Sequence, residues 1–132
     1  MIKEFRGPIQ NEMDVSIAVI QARDLASSVG FDDGGATMIA TSVSELGRNI
    51  VKYAGRGEIA ICPVQRAGAG GITIVASDHG PGIANVAEAM EDHFSSGGTL
   101  GLGLPGVRRM MDEFELQSQP GQGTQVTVCK WL

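Results

Sequence analysis

Four short stretches of this 132-residue chain hold residue types that could do chemistry: Ser44–Asn49 (SELGRN), Asp78–Ile83 (DHGPGI), Gly101–Gly106 (GLGLPG) and Pro120–Thr124 (PGQGT). In the first, Glu45 and Asn49 are four residues apart, so on a helix both side chains leave the same face. A carboxylate and an amide side by side could serve one ligand, or could form an ordinary solvated face; Lys52 follows on the same line. In the second, Asp78 ends an alternating apolar run, where a carboxylate could cap the next turn while Gly80 and Gly82 supply the bend. In the fourth, Thr124 could serve a site or simply begin a strand.

The third stretch matches G-x-G-x-x-G, the dinucleotide-binding fingerprint, but its surroundings are wrong. That fingerprint follows a buried strand, opens a helix and needs further βα units. Here HFSSGGTL precedes it, and only about one helix and one hairpin follow. The pattern G-x-x-x-x-G-K-[ST] is absent as well. Phosphates bound by this chain would need another architecture.

The net charge of −5 gives no electrostatic footprint for nucleic acid or an anionic membrane. Apolar residues make up 42% and charged residues 19%, values of a globular chain, and the length suits a single domain over residues 1–132. Glycine is the outlier at 19, which suggests backbone that turns sharply or approaches a ligand closely. Cys62 and Cys129 lie in strand-like runs, with no C-x-x-C and no histidine at ligand spacing, and are expected to be small buried residues. No signal peptide opens the chain and no apolar run approaches membrane length, so the expected location is cytoplasmic.

Periodicity supplies the elements that must position these residues. A short strand is predicted over 2–10 and a helix over 11–29, with Val15, Ile17, Ala18, Ala22, Leu25, Ala26 and Val29 at helical spacing and Gly30 as the stop. A second helix is predicted from about Asp32 to Ala54, with Ile39, Val43, Leu46, Ile50 and Tyr53 as its core stripe. Strands at 58–64 and 71–77 flank the turn-like RAGAGG. A short helix near 85–92, a helix over 104–112, and a closing hairpin of 114–119 and 124–131 follow. The fold class is α/β, a two-layer sandwich whose mixed, mostly antiparallel sheet is covered on one face by helices.

Taken together, the order and spacing of the four stretches closely resemble the boxes of the GHKL ATPase and kinase superfamily, whose members share the Bergerat ATP-binding fold. The resemblance covers nearly the whole chain. Within the superfamily, SELGRN, DHGPGI, MEDHFSSGGTLGLGLPGVRRMMDEF and the ending KWL are most similar to the anti-sigma-factor type of serine/threonine kinase, and among those to the switch kinases of the bacterial stressosome. The resemblance implies ATP and Mg²⁺ as cofactors. It implies Asn49 as the magnesium ligand, Glu45 as the general base, Asp78 as the reader of the adenine amine, and Thr124 as its support. Gly80 and Gly82 would let backbone pass close to the nucleotide, and Gly101, Gly103 and Gly106 would line a loop over the phosphates. Lys52, Arg108 and Arg109 are weaker candidates for phosphate contact; His79 and His93 are not expected to take part.

The single domain expected over residues 1–132 has no separate segment for a phosphate acceptor, so the acceptor is expected on another protein. By resemblance this is a serine or threonine of a STAS-domain scaffold or antagonist, and the released kinase activates a PP2C-type phosphatase. The same resemblance allows a kinase that also binds a sigma factor, or a non-catalytic module gated by nucleotide. Neither nucleic acid nor membrane is an expected partner.

Overall fold

The first helix is delimited by its own flanking side chains. In the computed structural model, which describes residues 3–83, 90 and 103–132, strand β1 (Phe5–Ile9) runs into helix α1 (Glu12–Val29). Asn11 Oδ1 accepts the N–H of Asp14 at 2.9 Å while Asp14 Oδ2 accepts the N–H of Gln10 at 2.9 Å, a reciprocal cap that satisfies donors the helix leaves open. At the other end Gly30 takes φ +120°, and the N–H of Phe31 returns to the Ala26 carbonyl at 3.0 Å. Helix α2 (Asp33–Asn49) begins the same way, with Asp32 Oδ1 accepting from the Gly35 N–H at 2.8 Å.

Helix α2 does not continue as an α-helix to Ala54. Residues Ile50–Ala54 form one π-helical turn, closed by the Gly55 N–H on the Ile50 carbonyl at 2.9 Å and ended by Gly55 at φ +86°. The wider i→i+5 turn rotates Tyr53 off the apolar stripe where α periodicity puts it, and Tyr53 is 50% exposed. Ile17 is likewise not a core residue: it is 46% exposed, on the face of α1 opposite buried Val15, Ala18, Ala22, Leu25 and Ala26.

Strands β2 (Gly57–Arg66) and β3 (Ala69–Asp78) form a hairpin longer than periodicity suggests, because its loop is only Ala67-Gly68. Helix α3 (Gly103–Met110) leads into the second hairpin, β4 (Glu113–Gln119) and β5 (Gly123–Trp131). The expected short helix near 85–92 lies outside the described residues apart from Met90. The sheet order is β1-β2-β3-β5-β4, and every neighbouring pair is antiparallel rather than mixed. Two tight hairpins dictate antiparallel pairs, and β5 inserts between β3 and β4 in the same sense. Residues of one face, among them Ile59, Ile61, Ile72, Ile74, Val126 and Val128, pack with Ile39, Val43, Leu46 and Val107 into one core under the helices.

The opposite face has no helix over it among the described residues. Cys62, Thr73 and Cys129 stand there in one row across β2, β3 and β5, so the two free thiols are about 9–10 Å apart, beyond disulfide reach. Cys129 is buried, as expected, whereas Cys62 is only half-buried, and burial raises the pKa of both. At one end of the face Arg66 lies 4.7 Å from the Trp131 ring centroid and pairs with Glu113 at 2.8 Å. The Trp131 indole N–H, together with Arg66, lowers the Glu113 carboxyl from its usual range. Among the described residues no helix is long and apolar enough to cross a membrane.

The two-residue loop places Ala67 at φ +53° and Gly68 at φ +83°, dihedrals an alanine adopts at a cost of roughly 1–2 kcal/mol. Ala67→Asn is therefore expected to raise stability by about 0.5–1 kcal/mol, read as a higher urea midpoint at unchanged slope.

Candidate functional site

Helix α2 is unusual in burying polar groups. Glu45 is only 7% exposed and Asn49, one turn on, is half-buried. Ser42, one turn earlier on that side, is fully buried, and its Oγ makes no hydrogen bond among the described residues. Close packing explains part of this. A Cβ at Gly47 would lie 3.0 Å from both methyls of Val15, so α2 sits tight against α1 and under α3. Glu45 is therefore more enclosed than an ordinary solvated i,i+4 pair would be.

The end of α2 meets the end of β3 at Gly57. A Cβ there would lie 2.9 Å from Ile50 Cγ2, 3.1 Å from Asp78 Cβ, and against the Ser77 carbonyl oxygen. Asn49 and Asp78 thus stand at the same end of the molecule, joined through Ile50 and Gly57. Asp78 Oδ1 accepts the N–H of Gly80 at 2.9 Å, so one carboxylate oxygen caps the turn, as one reading of the sequence allows. Gly80 is glycine for a local reason: its Cβ would fall 2.6 Å from Ala54 Cβ and 2.8 Å from Ala54 Cα, on the π turn.

Two glycine turns then interlock. Gly82, at φ +76°, abuts the carbonyl oxygen of Gln119; Gly123, at φ +93°, abuts that of Asp78. The N–H of Gly121 donates to the Pro81 carbonyl at 2.7 Å across the same junction. No side chain fits at either contact, so the DHGPGI turn and the PGQG turn are locked backbone to backbone. The lock sets Thr124 directly opposite Asp78 in the β3–β5 register, and Ser118 directly opposite Thr124 in the β4–β5 register. The row Gly57, Asp78, Thr124, Ser118 therefore crosses four strand ends on the helix-facing side.

Ser118 is a site residue that sequence reading missed. Its Oγ accepts the Ile83 N–H at 2.7 Å, donates to the Gly123 carbonyl at 3.1 Å, and lies 2.8 Å from Thr124 Oγ1. The available signal was its alternation with Phe114 and Leu116, which puts a hydroxyl on the core face of β4.

The remaining candidates do not gather at this end: Arg108 and Arg109 lie toward Lys130, at the far end of the β3–β5 pairing from Asp78 and Thr124. Gly103 opens α3 at φ +46° and Gly106 is buried within it, whereas Gly101 and His93 lie outside the described residues. Lys52 is exposed on the π turn with its ammonium 5.3 Å from the Tyr53 ring centroid. Arg108 and Arg109 are exposed on the last turn of α3, the end away from Gly103. Lys130 holds that end, donating from Nζ to the Met110 carbonyl at 2.9 Å. His79 is exposed and lines a shallow polar cleft of about 490 Å³ with Arg56, Glu58 and Ser77.

The lock predicts an asymmetry between neighbouring glycines. Gly121, at φ +79° with nothing within 4 Å of where a Cβ would stand, should tolerate alanine at a cost of roughly 1–2 kcal/mol. Gly123→Ala adds a backbone clash and should cost roughly 2–5 kcal/mol, measured by urea unfolding of the two variants side by side.

Known proteins resemble this chain in sequence and fold. Residues 10–130 match the family model of the histidine kinase-like ATPase domain. The chain is 47% identical over 124 residues to the serine/threonine-protein kinase RsbT of Bacillus subtilis, covering 94% of this chain and 93% of that one. It is 33% identical over 98 residues to the anti-sigma F factor of Thermoanaerobacter sp. strain X514, covering 71% and 68% of the two chains. The fold is also that of a Mycobacterium tuberculosis structure comprising RsbU and RsbW domains, at TM-score 0.64 and 16% identity, covering 97% of this chain and 31% of that one. The mycobacterial sensor histidine kinase MprB matches at TM-score 0.55 and 18% identity, over 96% and 97% of the chains. The chain belongs to the family of histidine kinase-like ATPase domains of the GHKL type, in the branch of protein serine/threonine kinases and anti-sigma factors.

Proposed function

We propose that this chain transfers the γ-phosphoryl group of ATP to a serine or threonine of a STAS-domain regulatory protein, and that once released it binds and activates a PP2C-type phosphatase. The observation that carries the reading is the junction at Gly57, where a buried glutamate and a half-buried asparagine on α2 share one end of the fold with the Asp78–Thr124 pair. Near-full-length similarity to a serine/threonine kinase supports the same reaction.

Each residue has a role that its surroundings suit. Asp78, with one oxygen holding its own turn, directs the other to the exocyclic amine of adenine, and Thr124 stands beside it. Guanine presents a carbonyl at that position, and leaving a buried acceptor facing an acceptor costs about 1–3 kcal/mol. The Asn49 side-chain oxygen is a hard, uncharged ligand suited to Mg²⁺, which keeps several waters and completes its shell with phosphate oxygens. Among the described residues no cluster of three His, Cys, Asp or Glu could hold a metal alone, which fits an ion shared with the nucleotide. Bound there, the ion neutralises charge on the phosphates.

Glu45, enclosed on the same face, orients the attacking hydroxyl and takes its proton as the oxygen bonds to the γ-phosphorus and the bond to the β-phosphate oxygen breaks. Gly101, Gly103 and Gly106 supply backbone close to the phosphates, with the first amides of α3 adding partial positive charge. Lys52, Arg108 and Arg109 are phosphate contacts of second rank. The anti-sigma F relatives favour one further reading, a kinase that also binds a sigma factor.

The experiment is incubation with labelled ATP, Mg²⁺ and a STAS protein. Native protein should label it on serine or threonine. Glu45→Gln should bind ATP normally but transfer roughly 10²–10⁴-fold more slowly. Asn49→Ala should lose Mg²⁺-dependent ATP binding by calorimetry. Native-rate transfer by Glu45→Gln would remove the base from this scheme.

A further inference from the structure

The hydroxyls of Ser118 and Thr124 can be counted proton by proton. Ser118 Oγ has one proton and two lone pairs. The Ile83 N–H occupies one lone pair at 2.7 Å. The Gly123 carbonyl, 3.1 Å away, can only accept, so the single Ser118 proton goes there. One lone pair remains for Thr124 Oγ1 at 2.8 Å, which makes Thr124 the donor in a contact that distance alone leaves undirected. The proton of Thr124 is thereby fixed on Ser118. With that proton committed, Thr124 Oγ1 has only acceptor capacity left beside its register partner Asp78.

We propose that Ser118 is a positioning residue for base selection: by holding the Thr124 proton, it makes Asp78 and Thr124 a pair of adjacent acceptors that admits an exocyclic amine and refuses a carbonyl. The proposal rests on the ATP-binding reading above. An amine at C6 of a purine has two N–H groups to offer such a pair. A C6 carbonyl meets two acceptors, whereas a freely rotating threonine hydroxyl could turn its proton to meet it. Ser118 touches no part of the base in this scheme and sets the proton through Thr124. Its contact with the Ile83 N–H also ties the DHGPGI turn to β4, which keeps Asp78 in register with Thr124.

The test compares ATP with inosine triphosphate, which carries a C6 carbonyl and lacks the 2-amino group of guanine. Native protein should bind ATP more tightly than inosine triphosphate by calorimetry. Ser118→Ala should narrow that ratio by about tenfold, chiefly by improving inosine triphosphate binding, because one hydrogen bond is regained. Ser118→Thr keeps the hydroxyl and should keep the ratio. In a Thr124→Val background, Ser118→Ala should change the ratio no further, since the proton it controls is gone. A merely structural role would weaken both nucleotides together and leave the ratio unmoved in Ser118→Ala, and that result overturns the proposal. So does an additive loss in the double variant, or a native protein that binds ATP without discriminating. Failure of the native protein to bind ATP at all would instead overturn the ATP-binding reading on which this one rests.

Discussion

The backbone lock between two glycine turns is the constraint on which the site depends. Where Gly123 meets the Asp78 carbonyl and Gly82 meets the Gln119 carbonyl, main chains touch with no room for a Cβ. Steric exclusion of this kind is stiff, unlike a side-chain hydrogen bond that can lengthen or find water. It fixes the end of β3 against the start of β5, and with it the register that sets Asp78 beside Thr124 and Thr124 beside Ser118. A recognition surface for a planar base needs that stiffness, because hydrogen-bond selectivity is lost when donors and acceptors drift.

The helical side of the site meets the sheet at the last turn of the helix. Helix α2 reaches the sheet through Ile50 and Ala54, and its last turn is π-helical, so its final residues follow the sheet end rather than the helix axis. On α2 itself the polar residues Glu45 and Ser42 are buried. Burying such groups costs stability, and functional sites are where proteins accept that cost. The C-terminus of α3 is tied down by Lys130 on β5, so the KWL stretch has a structural role in anchoring that helix.

Much was legible in the residues themselves. Helix caps at Asn11, Asp32 and Gly30 are local chemistry, and their helices begin and end where that chemistry says. Alternation in the run before Asp78 is borne out by buried Ile72, Ile74 and Ala76, and four boxes in order sufficed to identify the family. Three features were not legible for one shared reason. Tyr53 leaves the core because of a π turn, the sheet is wholly antiparallel because β5 inserts between β3 and β4, and Ser118 enters the site because of register. Each depends on which distant segment lies alongside, and periodicity within a segment carries no record of that.

The glycines draw the line most clearly. By itself the sequence determined that the backbone must turn or approach something closely at 80, 82, 121 and 123, since only glycine escapes a steric penalty there. Only the tertiary structure decided what is approached. Gly80 yields to Ala54, Gly82 to Gln119 and Gly123 to Asp78, all within the protein, while Gly121 has open space and serves conformation alone. The type of a residue limits the shapes its own backbone can take, but the partner that fills the space beside it is chosen by folding, through contacts tens of residues apart.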